Sequence, residues 1–241
     1  MKKFHYCLLA FLIQGCSTTY HYYPVAVNAP SFANKGEVQF SGGFGFAGFN
    51  TMGGFAVTDN ISVAGLYNAG IGLDGYYVKE GEASLGWSSP KNEDGKVFGI
   101  YGGYGWGNSY DLDSGDVVKG FDGSFSKPFL IFNFGSAFTE KQSFVRGDAN
   151  IGLKFNYFMY SGIKNKYENS IYVAYPFNPE SFLYELYFNS SIGGKYVRFQ
   201  YGMGFAFKGL LKIGEEPRIF PMTMNIGMLF IIGRKYQDTS K

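Results

Sequence analysis

The feature that most constrains this 241-residue chain is a period-two alternation of apolar and polar side chains, repeated along nearly its whole length. From Tyr196 to Phe207, the residues Val197, Phe199, Tyr201, Met203, Phe205 and Phe207 fall on one face of an extended strand. Tyr196, Arg198, Gln200, Gly202, Gly204 and Ala206 fall on the other. Between Phe144 and Tyr157, Val145, Ala149, Ile151, Leu153, Phe155 and Tyr157 oppose Arg146, Asp148, Asn150, Gly152, Lys154 and Asn156. A helix would need a period near 3.6, so both segments read as β-strands with one apolar and one polar face.

The same pattern predicts about ten strands, near 37–46, 49–57, 61–69, 80–88, 96–108, 124–138, 144–160, 181–192, 196–207 and 222–232. Brief turns follow the even strands, at Thr58-Asp59-Asn60, Ser89 to Gly95, Thr139 to Gln142 and Gly193-Gly194-Lys195; apart from the first hairpin, longer loops follow the odd ones. Short turns on one side and long loops on the other are expected of a transmembrane up-and-down antiparallel β-barrel, whose even strand number returns both ends of the wall to the short-turn side. A soluble sandwich or lipocalin-like barrel also alternates, but its solvent face should be rich in charge. Here the second face is largely Gly, Ala, Ser and Asn, which favours a membrane barrel of about ten strands (8–12).

Composition agrees: 35 Gly, 20 Tyr and 26 Phe suit strands in close contact beneath a broad apolar surface. A net charge of +2 provides no electrostatic footprint for nucleic acid. Beyond the N-terminus no apolar run approaches the roughly 20 residues of a membrane-crossing helix.

At the N-terminus, Lys2 and Lys3 precede the apolar stretch from Tyr6 to Ile13, the outline of a secretory signal. The run Ile13-Gln14-Gly15-Cys16 resembles a bacterial lipobox, and that resemblance implies cleavage before Cys16 and lipid attachment to it. Ser17 is then permissive for the outer membrane. An ordinary signal peptide cut nearby is the alternative. The predicted organisation is a signal peptide over 1–15, a lipid-anchored periplasmic tether over 16–34, a barrel over 35–233 and a tail over 234–241. The tether reading rests on Tyr20, Tyr22, Tyr23, Pro24 and Pro30 scattered without a period.

The chain resembles the large group of small outer-membrane β-barrel proteins of Gram-negative bacteria, several of them lipoproteins. The resemblance lies in Ile13 to Cys16, in Asn28-Ala29-Pro30 followed by Lys35-Gly36-Glu37, in Ala56-Val57-Thr58-Asp59-Asn60-Ile61, and in Tyr101-Gly102-Gly103-Tyr104-Gly105. It implies a fold and a topology but carries no catalytic residues.

Chemistry is sparse. Gly43-Gly45-Gly48 and Gly70-Gly72-Gly75 fit G-x-G-x-x-G, yet neither opens a helix, so they read as strand glycines. The two histidines, His5 and His21, precede the barrel, and signal cleavage with lipidation would use up Cys7 and Cys16. No metal site, cofactor or enzymatic activity is therefore expected. The lumen candidates are the acids Glu37, Glu82, Asp148 and Glu185 with the bases Arg146, Lys154 and Arg198. They read as a salt-bridged polar plug, or alternatively as the lining of a narrow conduit. Trp87, Trp106, Tyr104 and Phe138 suit interfacial girdles, with sugar-binding platforms as the sharper alternative. Any protein partner is expected at the loops 109–123 and 162–180. The function these features imply is a structural or accessory barrel of the outer membrane in contact with its lipid, with a small passive channel or uptake protein as the runner-up.

Overall fold

The computed structural model describes residues 24–25, 30–32, 34–71, 76–89, 96–111, 120–139, 146–167, 171–174, 180–213 and 222–233. Among them are eleven strands and no helix: β1 (Val38–Gly45), β2 (Gly48–Ala56), β3 (Ile61–Ile71), β4 (Tyr76–Ser88), β5 (Lys96–Asp111), β6 (Gly120–Thr139), β7 (Arg146–Tyr167), β8 (Ile171–Ala174), β9 (Glu180–Gly193), β10 (Val197–Ile213) and β11 (Met222–Ile232). Each wall strand pairs antiparallel with its neighbours in sequence order, and β1 pairs with β11 from Val38↔Ile232 to Gly45↔Asn225. That last ladder closes a ten-strand barrel. The short β8 stands outside the wall, pairing with the far end of β7 through Lys164↔Ala174 to Tyr167↔Ile171.

The alternation predicts ten wall strands and ten are present. The differences lie at the long-loop rim, where β5 and β6 reach into the expected loop 109–123, and β7 and β8 occupy much of the expected loop 162–180. A hairpin that has risen past the lumen no longer separates a polar inside from an apolar outside. Its sequence therefore loses the alternation by which strands are recognised.

Local chemistry sets the turns. In the β2–β3 connection the Thr58 hydroxyl accepts from the backbone N–H of Asn60 (3.2 Å) and of Ile61 (2.8 Å), and Thr58 N–H donates to the Ile61 carbonyl (3.0 Å). At the β1–β2 hairpin Gly48 has φ +98°, a conformation that side chains with a Cβ rarely adopt. Val38 and Ile232 face one another, so the first and last wall strands meet at the short-turn rim.

The two faces of the wall are chemically opposite. Outward, Val197, Phe199, Tyr201, Met203, Phe205 and Phe207 of β10 are each between 39 and 52 % exposed. Phe40 and Phe44 of β1, Phe49 and Phe55 of β2, and Met224, Ile226, Met228 and Phe230 of β11 continue the same belt. Inward, the buried residues include Gln39, Ser41, Asn50, Glu80, Lys127, Lys154, Glu185 and Arg198. A protein in water buries its apolar side chains and solvates its charges, whereas a wall facing hydrocarbon requires the reverse. A closed barrel of this kind fits a membrane barrel protein, since closure satisfies every wall hydrogen bond without an edge.

Met203 lies on the outward face of β10. Met203→Arg is expected to destabilise the barrel by about 2–4 kcal/mol when it is folded into lipid vesicles, the cost of a charge on a lipid-facing strand near mid-bilayer. Urea titration of the two proteins measures this, and unchanged stability would count against lipid contact at that face.

Candidate functional site

Four strands aim charge at the middle of the lumen. Two-residue spacing on β4 brings Glu80 and Glu82 to the inner face, β6 contributes Lys127, β7 contributes Lys154, and β9 contributes Glu185; all are buried. Lys154 Nζ lies 2.5 Å from Glu82 Oε1, Lys127 Nζ lies 2.7 Å from the same oxygen, and Lys127 also pairs with Glu80. Asn156 Nδ2 donates to Glu185 Oε1 at 2.8 Å, and Glu185 stands directly across from Lys154 in the β7–β9 register. Each ammonium is also covered by an aromatic face: Lys127 Nζ is 5.2 Å from the Phe158 ring centroid, and Lys154 Nζ is 4.6 Å from that of Phe129. Charges taken out of water must be paired to persist, and these are held on several sides.

A second polar group lies at the short-turn end. Arg198 Nη1 pairs with Asp148 Oδ2 at 2.5 Å, and its Nε donates to the Gly194 carbonyl at 3.3 Å. Glu37 is fully buried and accepts from Gln39 Nε2 at 2.7 Å. Arg146 begins β7 opposite Gly193 and is partly buried. The seven charged residues read from the sequence thus divide into separate groups. Glu82, Lys154 and Glu185 meet at mid-lumen, Asp148 and Arg198 pair near the short turns, and Glu37 and Arg146 sit at that rim.

Sequence reasoning missed Glu80 and Lys127, although Lys127 links the two β4 carboxylates. On β6 the faces are apolar on both sides, with Phe125, Phe129 and Ile131 inside and Leu130, Phe132 and Phe134 outside, so nothing in the local pattern orients Lys127. The lumen is also less dominated by small residues than the sequence suggests. Tyr101, Phe129, Ile131 and Tyr187 form one buried cluster, and Val78, Phe125, Phe158, Tyr160 and Leu183 belong to a second toward the long loops. Tyr187 Oη donates to Asn133 Oδ1 at 3.0 Å, and Asn50 Nδ2 donates to Asn225 Oδ1 at 3.0 Å. A small polar cavity of about 50 Å³ remains toward the short-turn end, bordered by Gln39, Ser41, Asp148, Asn150, Ser191 and Gln200 among others.

Part of the segment predicted as a periplasmic tether is inside the barrel. Pro24 and Val25 are buried, and Val25 joins the apolar cluster that includes Ala47, Met52 and Val78; Phe32 is buried beside Gly54. An aperiodic stretch suits a tether, but it equally suits a chain that packs residue by residue against a lumen.

Trp87, Tyr104 and Trp106 point outward, and Trp106 lies across the outer face of Gly81, its paired residue on β4. The side chain of Phe138 lies outside the described residues, as do Cys16 and the loop centres at 112–119, 168–170 and 175–179. Among the described residues no cluster of His, Cys, Asp or Glu could hold a metal ion. The chain matches no protein-family model and no curated protein.

Glu82 faces both lysines, so Glu82→Ala takes from Lys154 its paired carboxylate and leaves Lys127 with Glu80. A loss of about 3–5 kcal/mol is expected from breaking such a pair. Glu82→Gln, which keeps an acceptor of the same shape, should cost less. Unfolding titrations of the three proteins check the order, and equal stability of the alanine variant would show that the network does not hold the strands together.

Proposed function

We propose that the protein is a lipid-anchored barrel of the Gram-negative outer membrane that does not conduct and acts as a structural or accessory component of that membrane. The observation that carries this reading is the cross-section at mid-lumen. There the Glu80–Lys127–Glu82–Lys154 network and the Phe129 and Phe158 rings meet side to side. Ions would have to break buried pairs to pass, and water-filled porins use about 16 to 18 strands to avoid such filling. The outward apolar belt supports contact with lipid, and the signal-like N-terminus with Cys16 supports export and acylation. Both histidines precede the wall, so a histidine base is not available within it, and a non-enzymatic role follows as part of the same proposal.

The channel reading has one observation in its favour, the polar cavity beside Asn150 and Gln200. That cavity is small, and the Tyr101–Phe129–Ile131–Tyr187 cluster and the ion network occupy the lumen beyond it. Protein partners, on this proposal, dock on the loops around 109–123 and 162–180.

In planar bilayers the purified full-length protein is expected to leave the baseline current unchanged; steady, reproducible steps would overturn the closed reading. Metabolic labelling with palmitate should mark the wild-type protein and leave Cys16→Ala unlabelled. Label retained on the alanine variant would remove the lipid from the proposal.

A further inference from the structure

The lumen holds more than the side chains of the wall. Its inward positions include glycines, Gly54 on β2 and Gly135 on β6 among them, beside the larger Tyr101, Lys127 and Tyr187. The described residues of the N-terminal segment, Pro24, Val25 and Pro30 to Phe32, lie in that space.

Three wall strands hold it by hydrogen bonds. The Tyr101 hydroxyl on β5 donates to the Pro30 carbonyl at 2.6 Å, and Gln39 Nε2 on β1 donates to the Ser31 carbonyl at 2.9 Å. Ser31 Oγ donates to Asn150 Oδ1 on β7 at 3.0 Å. The wall is shaped to the segment as well. A Cβ on Gly54 would stand 2.7 Å from the Phe32 ring and 3.2 Å from Pro30, and one on Gly135 would stand 3.1 Å from Ser31 Oγ. Both contacts are tighter than ordinary packing allows, so a side chain at Gly54 would force Phe32 and Pro30 to shift.

The segment's own chemistry fits a chain buried outside any ladder. Backbone groups away from water must find partners, and proline removes one donor from that requirement. Pro24 and Pro30 are two such positions, and the carbonyls of Pro30 and Ser31 are the ones the wall satisfies. Val25 and Phe32, both buried, are apolar. From Val25 to Phe32 the contacts pass from the cluster of Met52 and Val78 to the neighbourhood of Gly54, and the chain leaves at the short-turn rim, where Lys35 N–H donates to Asp59 Oδ1 at 2.8 Å.

We propose that the lumen is a binding groove for polypeptide, and that its occupant is the N-terminal segment of the same chain that carries Pro24, Val25 and Pro30 to Phe32, which serves as a displaceable plug. This rests on the closed-barrel reading and assigns part of the closure to the plug rather than to the side chains of the wall. With the segment gone, the space it leaves beside Gly54 and Asn150 should join the cavity bordered by Gln39, Ser41 and Gln200 and open a path along the lumen.

The test uses the full chain and two variants. Ser31→Cys with Asn150→Cys should form a disulfide under mild oxidation in the folded barrel, seen as a mobility change reversed by reductant. Wild-type and cross-linked proteins should be silent in planar bilayers, while deletion of residues 24–32 should produce stepwise conductance. A synthetic peptide of that sequence should suppress the current. Tyr101→Phe with Gln39→Leu keeps the segment but removes both donors to its carbonyls, and should flicker; it supplies the measurement if the deletion variant does not fold. Absence of the cross-link in a silent, folded barrel overturns the plug alone, as does silence of both variants. Steady conductance by the cross-linked full-length protein overturns the closed reading and the plug with it.

Discussion

Closure through the β1–β11 ladder is the constraint on which everything else depends. Once Val38 pairs with Ile232 and Gly45 with Asn225, the wall has no edge, and each of its residues must point either to the outside or into an enclosed space. That binary choice generates the alternation. Phe199 and Met203 point outward, where large apolar side chains fit a membrane barrel. Arg198 can be charged because Asp148, two strands away across β9 and fifty residues earlier in the chain, lies within 2.5 Å of it on the same inner face. The ion network links the inner faces of β4, β6 and β7, neighbouring strands on one side of the ring.

An enclosed space this size still has to be filled, and it is filled by two different means. Charged and aromatic side chains span it from β4 to β9, where Glu82 receives two lysines and each lysine also lies over a ring. Elsewhere Gly54 and Gly135 leave room that Pro30, Ser31 and Phe32 help to occupy. The two fillings have different mobilities in principle. Breaking the first requires separating buried charges, a matter of several kcal/mol. Withdrawing the second requires giving up three hydrogen bonds and modest apolar burial, with no change in the wall ladders.

The sequence made the wall legible for the reason that closure makes it alternate. Val197 to Phe207 shows both faces because one points out of the barrel and the other into it, and the paired charges on β7 and β10 could be assigned inward by parity alone. Lys127 could not, because Phe125 and Phe129 share its face while Leu130 and Phe132 make the opposite face equally apolar. Glu80 has the same parity as Glu82. With the strand taken to start at 80 it reads as a rim carboxylate, whereas β4 begins at Tyr76 and carries it into the barrel. The segment around Pro30 was hidden for a different reason. It belongs to no ladder, so it has no period, and its burial depends on glycines distant in sequence that have no reason to be glycine until the segment is placed beside them.

The proposed plug and the proposed lipid on Cys16 impose opposing demands on one short piece of chain. Only nine positions separate Cys16 from Val25 (25 − 16 = 9), at most about 30 Å even when fully extended. Val25 lies deeper in the barrel than the Pro30 contacts, on the side of Met52 and Val78. An acyl group on Cys16 in the leaflet at the short-turn rim would therefore require the chain to turn back and pass the Tyr101–Tyr187 region a second time, through space that is already packed. An acyl group at the long-loop rim would require only that the chain continue in its direction. The seated segment thus favours the long-loop side for the anchor, against the short-turn side favoured by loop lengths alone. An anchor held at the short-turn rim would pull residues 24–32 toward their exit. On the two proposals together, lipid position and plug occupancy are coupled through the short stretch of chain that joins them, and a force on one is felt by the other.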